Sequence, residues 1–241
     1  IHLPFCKQKC NYCDFASFAG REKFISAYLS ALEKEASLSP VKSFDTLYVG
    51  GGTPSILSTE ELGELCRLIR RHFGEIVRFS ESTLEANPES LTPAKIAVLR
   101  RAGFNRLSIG LQSFHDEELA ALGRVHTVQT FLKGYQAARE GGFKNINVDL
   151  IAGVPGQTLE RFLDGLEKLL ELAPEHLSVY GLQIEENTPF FERGIVCDQL
   201  LMRRMLEETH FRLQQAGYHH YEISNFARPG YEAKHNTHYW Q

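Results

Sequence analysis

The sequence predicts an α/β fold, a full or partial (β/α) barrel of parallel strands. Short β-branched or aromatic runs alternate with longer segments of helical period, and near-continuous apolar strands joined by helices imply a parallel sheet with crossover connections. Six or so such units follow one another with no composition shift and no Pro/Ser-rich linker. The 241 residues fall in the roughly 200–250 residues that a single α/β barrel occupies. An open doubly wound sheet is the alternative.

The strands are expected at residues 1–3, 46–49, 80–86, 106–111, 145–151 and 176–182, with 218–223 beginning another unit. Each is a short apolar run of the length a buried strand takes. Helical periodicity fills 22–37, 59–72, 93–102, 127–140, 159–172 and 199–216. Several of these segments follow Ser, Thr or Asp in cap positions, and Thr92-Pro93 is a good helix start. Residues 1–217 are expected to form the barrel core, and 218–241 the start of a C-terminal region. The chain opens on Ile1 and stops one residue after an aromatic cluster, so it reads as the ordered portion of a longer protein.

The 26 Lys+Arg against 30 Asp+Glu give a net charge of −4, and no general basic field exists to hold a nucleic-acid backbone. Hydrophobic residues at 43% and charged residues at 23% exclude disorder and fibrous repeats. No apolar run reaches the roughly 18–20 residues of a membrane helix, and no signal-peptide layout is present. A soluble cytoplasmic chain is expected. Five cysteines, three of them within eight residues, do not make a disulfide framework. Cys66 and Cys197 receive no role.

Cys6, Cys10 and Cys13 are spaced C-x-x-x-C-x-x-C after the first strand, with Phe5, Tyr12 and Phe15 interleaved. Three thiolates suit a cubane iron-sulfur cluster that leaves one iron open to a substrate group. A zinc site completed by His2 is the rival, although no second cysteine pair follows at finger-like spacing. A thioredoxin-like pair leaves the third thiol unused. Gly50-Gly51-Gly52-Thr53-Pro54 lacks the Lys-Ser or Lys-Thr of a P-loop, and its glycines permit close backbone approach to a ligand. Cys6, Gly50 to Thr53, Glu85, Gln112, Asp149 and Gln183 fall at or just beyond expected strand C-terminal ends, where barrel sites gather. Glu85 and Asp149 suit hydroxyl groups, and Arg124 in L-G-R-V-H suits a carboxylate. Taken singly, each is more often a loop or cap residue.

The cysteine spacing, GGGTP and the barrel pattern together resemble the radical S-adenosylmethionine (SAM) enzymes. The resemblance covers nearly the whole chain and implies a partial (β/α)6 TIM-like barrel with parallel strands. It implies a 4Fe-4S cluster on Cys6, Cys10 and Cys13, with SAM on the fourth iron. Tyr12 would pack on the SAM adenine, and Gly51, Gly52 and Thr53 would lie near its methionine part. The stretches around Glu85, Gln112, Arg124 and Asp149 resemble those of oxygen-independent coproporphyrinogen III oxidases, where matching positions contact SAM. Gln183 carries over more weakly.

Two features choose the branch. The coproporphyrinogen-oxidizing branch has a further cysteine two residues after the third ligand, and here that position is Phe15. Residues 235–240 read H-N-x-x-Y-W, which resembles the haem-binding signature of the HemW-type haem chaperones. That resemblance implies haem as cargo. His235 is the preferred ligand and His238 the reserve, with Tyr239 and Trp240 offering flat surface to a porphyrin. Without the resemblance, a buried His-Asn pair beside packed aromatics is the commoner outcome. The implied function is delivery of haem to haem-requiring membrane respiratory proteins, with peripheral membrane association through those partners and room for a homodimer. The alternative is coproporphyrinogen III dehydrogenation with SAM cleavage. His72, His115, His126, His176 and His210 lie scattered among helices and loops, and most of them read as solvated or capping residues. His219 and His220 point to opposite faces of a strand, which disfavours one shared metal. The acidic stretch from Glu185 reads as a polar loop.

Overall fold

The computed structural model describes residues 1–41 and 43–241. Its main sheet begins with β1 (His2–Leu3), which pairs in parallel with β4 (Thr46–Gly51). From there β5 (Glu81–Ala86), β6 (Arg106–Gln112), β7 (Ile146–Ala152) and β8 (His176–Gly181) add in sequence order, all parallel. A doubly wound sheet reverses strand order partway. These six strands never reverse, so the architecture is the partial (β/α) barrel. Two short strands, β2 (Phe5–Cys6) and β3 (Phe18–Ala19), pair with each other and bracket the cysteine loop.

The crossovers are α1 (Ile25–Leu38), α2 (Thr59–Phe73), α3 (Pro93–Ala102), α4 (Asp116–Ala121), α5 (Val128–Glu140) and α6 (Leu159–Glu171). After β8 come α7 (Pro189–Glu192) and α8 (Gln199–Gln215). Thr92, Thr127, Thr158, Thr188 and Asp198 each accept a first-turn N–H. Ser58 and Glu61 form a reciprocal capping box at α2, which satisfies two donors left over at a helix start. Gly103 closes α3 at φ 109°, and a Cβ there would lie 2.7 Å from the Val77 nitrogen. No helix of the described residues is long and apolar enough to cross a membrane.

Residues 218–223 depart from the expectation of a further parallel unit. They give only β9 (His219–His220), which turns into β10 (Asn225–Ala227), and β10 runs antiparallel to β8. The connection between β8 and this hairpin is made by α8, yet the chain re-enters against β8 in the opposite sense. A final turn, α9 (Lys234–Thr237), follows.

Because side chains alternate along a strand, register decides which residues share a face. Leu47, Val49, Leu84, Leu107, Ile109, Val148, Leu177 and Val179 lie on one face and join the helices in the principal core. The other face is polar. Asn147 donates from Nδ2 to Ser108 Oγ and Asp149 Oδ1, both 2.7 Å, and its Oδ1 accepts from His176 Nδ1 at 2.6 Å. Tyr221 donates to His176 Nε2 at 2.7 Å and accepts from the Ala233 N–H. Burial, reinforced by the Arg106 charge, holds His176 well below the usual imidazole range and therefore neutral.

At the floor of this face, Glu81 accepts the backbone N–H groups of Lys234 and His235 at 3.0 and 3.1 Å. These two bonds to a buried carboxylate, each about 1.5–3 kcal/mol, tie α9 to the first residue of β5. Glu81→Ala is therefore expected to raise the hydrogen-exchange rate of peptides spanning 233–241 by at least about tenfold. Exchange measured by mass spectrometry that leaves this segment unchanged would show that other contacts hold it.

Candidate functional site

Cys6 ends β2, and the loop from it to β3 carries Cys10 and Cys13 and is held from three sides. Asn11 donates from its backbone to Leu122 O and from its side chain to Ala121 O, both 2.9 Å, and its own carbonyl accepts Phe190 N–H at 2.9 Å. Gln8 donates to Gly123 O, and Phe18 N–H reaches Pro4 O at 2.8 Å. Gly123 has φ 74°, and a Cβ there would sit 3.0 Å from the Asn11 side chain.

One hydrogen-bonded chain links two of the three sulfurs. Thr53 Oγ1 donates to Cys6 Sγ at 3.6 Å and accepts from Asn87 Nδ2 at 3.0 Å. Arg124 Nη2 donates to Asn87 Oδ1 at 2.7 Å and to Gly110 O at 2.9 Å, while Nη1 reaches Cys10 Sγ at 3.5 Å. Burial opposes the charge on Arg124, but the neighbouring Tyr12 hydroxyl, Cys10 thiol and Glu89 outweigh it and keep the guanidinium protonated. These two sulfurs thus each receive a donor, one of them from a cation, and such outer partners hold sulfur ligands in place. Cys13 has a different environment, where burial pushes its thiol up and the Phe15 N–H opposes that shift.

This donor set fits an iron-sulfur cluster better than zinc. Among the described residues, no three His, Cys, Asp or Glu side chains converge to hold one ion. A zinc needs all its sulfurs about 2.3 Å from a single point, whereas a cluster presents separate irons to its ligands. His2, the expected fourth zinc ligand, instead bonds Ala16 O through Nε2 and packs its ring against Gly51.

The glycine triplet has an immediate packing reason. A Cβ on Gly50 would lie 2.7 Å from Glu85 Oε2, on Gly51 2.3 Å from His2 Nδ1, and on Gly52 2.7 Å from Phe5 O. The peptide N–H groups of Gly50, Gly52 and Thr53 bond the Ile1, Leu3 and Phe5 carbonyls, and that of Gly51 donates to Glu85 Oε2 at 3.0 Å. The stretch from Ile1 to Phe5, running alongside β4 and its exit, takes three of these four.

Glu85 is the penultimate residue of β5, at the strand end where it was expected, whereas Asp149 lies in the middle of β7; both are on the polar face. Glu85 also accepts from Tyr48 Oη at 2.6 Å. Burial, with Glu85 nearby, pushes the Asp149 carboxyl up to about 6. Gln112 ends β6 at φ 73°, beside a register shift. A non-glycine residue in that region costs of order 1 kcal/mol or more and commonly marks a functional position. Tyr12 packs with Leu122, Ile151, Val154, Leu182 and Phe190. Gln183 is exposed just beyond β8.

His235 and His238 lie far from the sulfurs. His235 meets Thr46, the first residue of β4, through Nδ1 at 2.8 Å, and its ring stacks on Tyr48 at 5.0 Å. Gly51, at the other end of that strand, is roughly 17 Å away at 3.3 Å per residue, and Thr53 lies beyond it. His235 is a half-buried strut where an open axial ligand was expected, and burial lowers its pKa. His238 is exposed, with Nε2 3.4 Å from Asp45 Oδ2. Tyr239 and Trp240 are 77% and 57% exposed, contrary to the packed alternative for these aromatics.

Sequence reasoning missed Asn87, Tyr48 and Arg106. Asn87 precedes a proline and reads as a turn. Arg106 is 3% exposed with its Nε unpaired, and a lone Arg at a strand start gives no such signal.

Residues 1–169 match the model of the Radical SAM superfamily. The whole chain is 40% identical to the heme chaperone HemW of Bacillus subtilis (strain 168) and 38% identical to that of Escherichia coli (strain K12). It spans 66% and 65% of those two proteins. The solved structure of coproporphyrinogen III oxidase (HemN) from Escherichia coli, a radical SAM enzyme, superposes with a TM-score of 0.86 at 32% identity, over 96% of this chain and 55% of that one.

The Asp149 shift sets a pH dependence. Its folded pKa of about 6 exceeds the unfolded value near 3.9, so its contribution is fully present below about 4 and is lost as pH rises through about 6. Asp149→Asn, which keeps the acceptor for Asn147, should therefore raise the melting temperature at pH 7.5 and lose that advantage near pH 4. Melting curves at the two pH values that differ equally would refute it.

Proposed function

The chain belongs to the radical SAM superfamily, and on that premise we propose that it is the cluster- and SAM-binding barrel of a haem chaperone. The observation that carries the choice of branch is identity of 38–40% over the whole chain to proteins named heme chaperone HemW. Phe15 in place of a further cysteine points the same way.

Cys6, Cys10 and Cys13 would hold three irons of a 4Fe-4S cluster. When bound, the cluster supplies a one-electron donor with an open iron for the amino and carboxylate groups of SAM. Arg124 offsets thiolate charge at Cys10 and, through Asn87 and Thr53, fixes the donor at Cys6. Outer partners of this kind orient ligands and tune a metal site. Glu85 and Asp149 present two carboxylates on one inner face, which suits the hydroxyls and positive charge of SAM. Asp149 accepts a proton below about pH 6, so its acceptor capacity grows above that. Tyr12, Gly51, Gly52, Thr53, Gln112 and Gln183 complete the proposed SAM shell.

Haem would sit at the floor, outside the barrel. His238 is the accessible imidazole, and Tyr239 and Trp240 give flat apolar surface with polar edges. His235 would position the segment through Thr46, Tyr48 and Glu81. The proposal extends to passing haem on to haem-requiring respiratory proteins at the membrane.

The test uses anaerobically reconstituted protein. Cys6→Ala should abolish cluster assembly by iron and sulfide analysis. His238→Ala should weaken haem binding in an absorbance titration while the cluster remains, and His235→Ala should weaken it through loosening of α9. Unchanged haem affinity in both variants removes the haem assignment. With SAM, reductant and coproporphyrinogen III, no decarboxylated product is expected by mass spectrometry. Product at many turnovers would make the protein an oxidase instead.

A further inference from the structure

On the outer side of the terminal hairpin, two imidazoles from different elements face each other. His210 of α8 and His220 of β9 have their Nδ1 atoms 3.1 Å apart. Both residues are exposed. His220 Nε2 is 3.0 Å from the Ile223 carbonyl. A carbonyl only accepts, so Nε2 carries the proton, and in the neutral ring Nδ1 is left with a lone pair directed at His210. Its ring lies flat on Phe226, centroids 4.1 Å apart at 12°, because Phe226 is its direct cross-strand partner.

A metal-ligating histidine has this arrangement. Its second nitrogen donates to a backbone carbonyl or carboxylate, which sets the tautomer and the ring orientation. The separation agrees as well. Two nitrogens about 2.05 Å from one ion, at an angle near 100°, are roughly 3.1 Å apart.

We propose that His210 and His220 form a binding site for a borderline divalent first-row ion, with zinc as the working case. Without metal, His210 Nδ1–H donates to His220 Nδ1. On binding, that proton moves to the solvent-facing His210 Nε2, both Nδ1 lone pairs turn to the ion, and no net proton is released. Among the described residues no third His, Cys, Asp or Glu is placed to join them. Water or an incoming ligand therefore takes the remaining positions. On α8, Glu207, one turn before His210, is in an ion pair with Arg203 at 2.7 Å. His219, on the opposite face of β9, lies toward Glu232 at 3.9 Å. The ion would cross-link α8 to the hairpin whose continuation carries residues 234–241.

The experiment is a zinc titration of the protein read by long-range proton–nitrogen NMR correlations of the imidazole rings, which separates these histidines from any zinc taken by cysteines. The Nδ1 resonances of His210 and His220 are expected to move together and saturate at one ion per chain. His210→Ala should abolish the response of His220, and His220→Ala that of His210. Hydrogen exchange in 219–227 should slow with zinc in the wild type and in neither variant. Movement of only one ring in the wild type, or of neither, overturns the proposal without reference to how the variants fold.

Discussion

Six parallel strands in one register put every second residue of each strand on a common face, and that alternation governs the rest of the molecule. The apolar residues face the helices and bury the principal core. The polar ones are thereby forced together on the inside, where they hydrogen-bond one another. Buried polar groups are tolerated when each has a partner, and Asn147 supplies several by serving Ser108, Asp149, His176 and the Ser178 hydroxyl together. A slip of one residue in β7 would turn Asn147 and Asp149 into the apolar layer and Val148 and Leu150 inward. The position of every inner carboxylate is thus a matter of register before it is a matter of chemistry.

The rim depends on the same constraint. Gly51 and Gln112 are the last residues of β4 and β6, so the glycine triplet and the strained glutamine emerge where the sheet hands the chain to its loops. The cysteine loop meets them from the opposite direction, because Phe5 and Cys6 pack on Gly52 and Thr53. Asn87 and Arg124, from the loops after β5 and α4, then tie the two sides together. Four separate crossovers contribute to one hydrogen-bonded chain between Cys6 and Cys10, and none of its members is a sequence neighbour of another.

That separation explains what was legible in the sequence. The long strands and their helices were readable because β-branched runs and capped periodic segments are local signals. The two-residue strands β2 and β3 carry no period, and the short α4, α7 and α9 carry too little of one. Residues 218–223 looked like a strand from their aromatic content, yet only a partner in β8 could reveal the antiparallel return. The cysteine spacing stood out because a loop motif keeps its ligands close in sequence. The roles of Asn87 and Arg106, and the stacking of His235 on Tyr48, arise from contacts across many tens of residues. The His-Asn-x-x-Tyr-Trp segment was recognisable as a motif, but its division into a half-buried strut and an exposed end belongs to tertiary packing.

Glu81 gives the floor of the barrel a double character. The carboxylate that fastens α9 also covers the inner face from below, since the segment it holds lies across the first residues of β4 and β5. Whatever draws that segment outward uncovers Glu81 and opens a path for solvent towards Arg106 and Asp149. Raised local polarity would lower the proton affinity of Asp149, whose shift originates in burial. A displacement at the floor would in this way be felt as a change of proton affinity further up the same face.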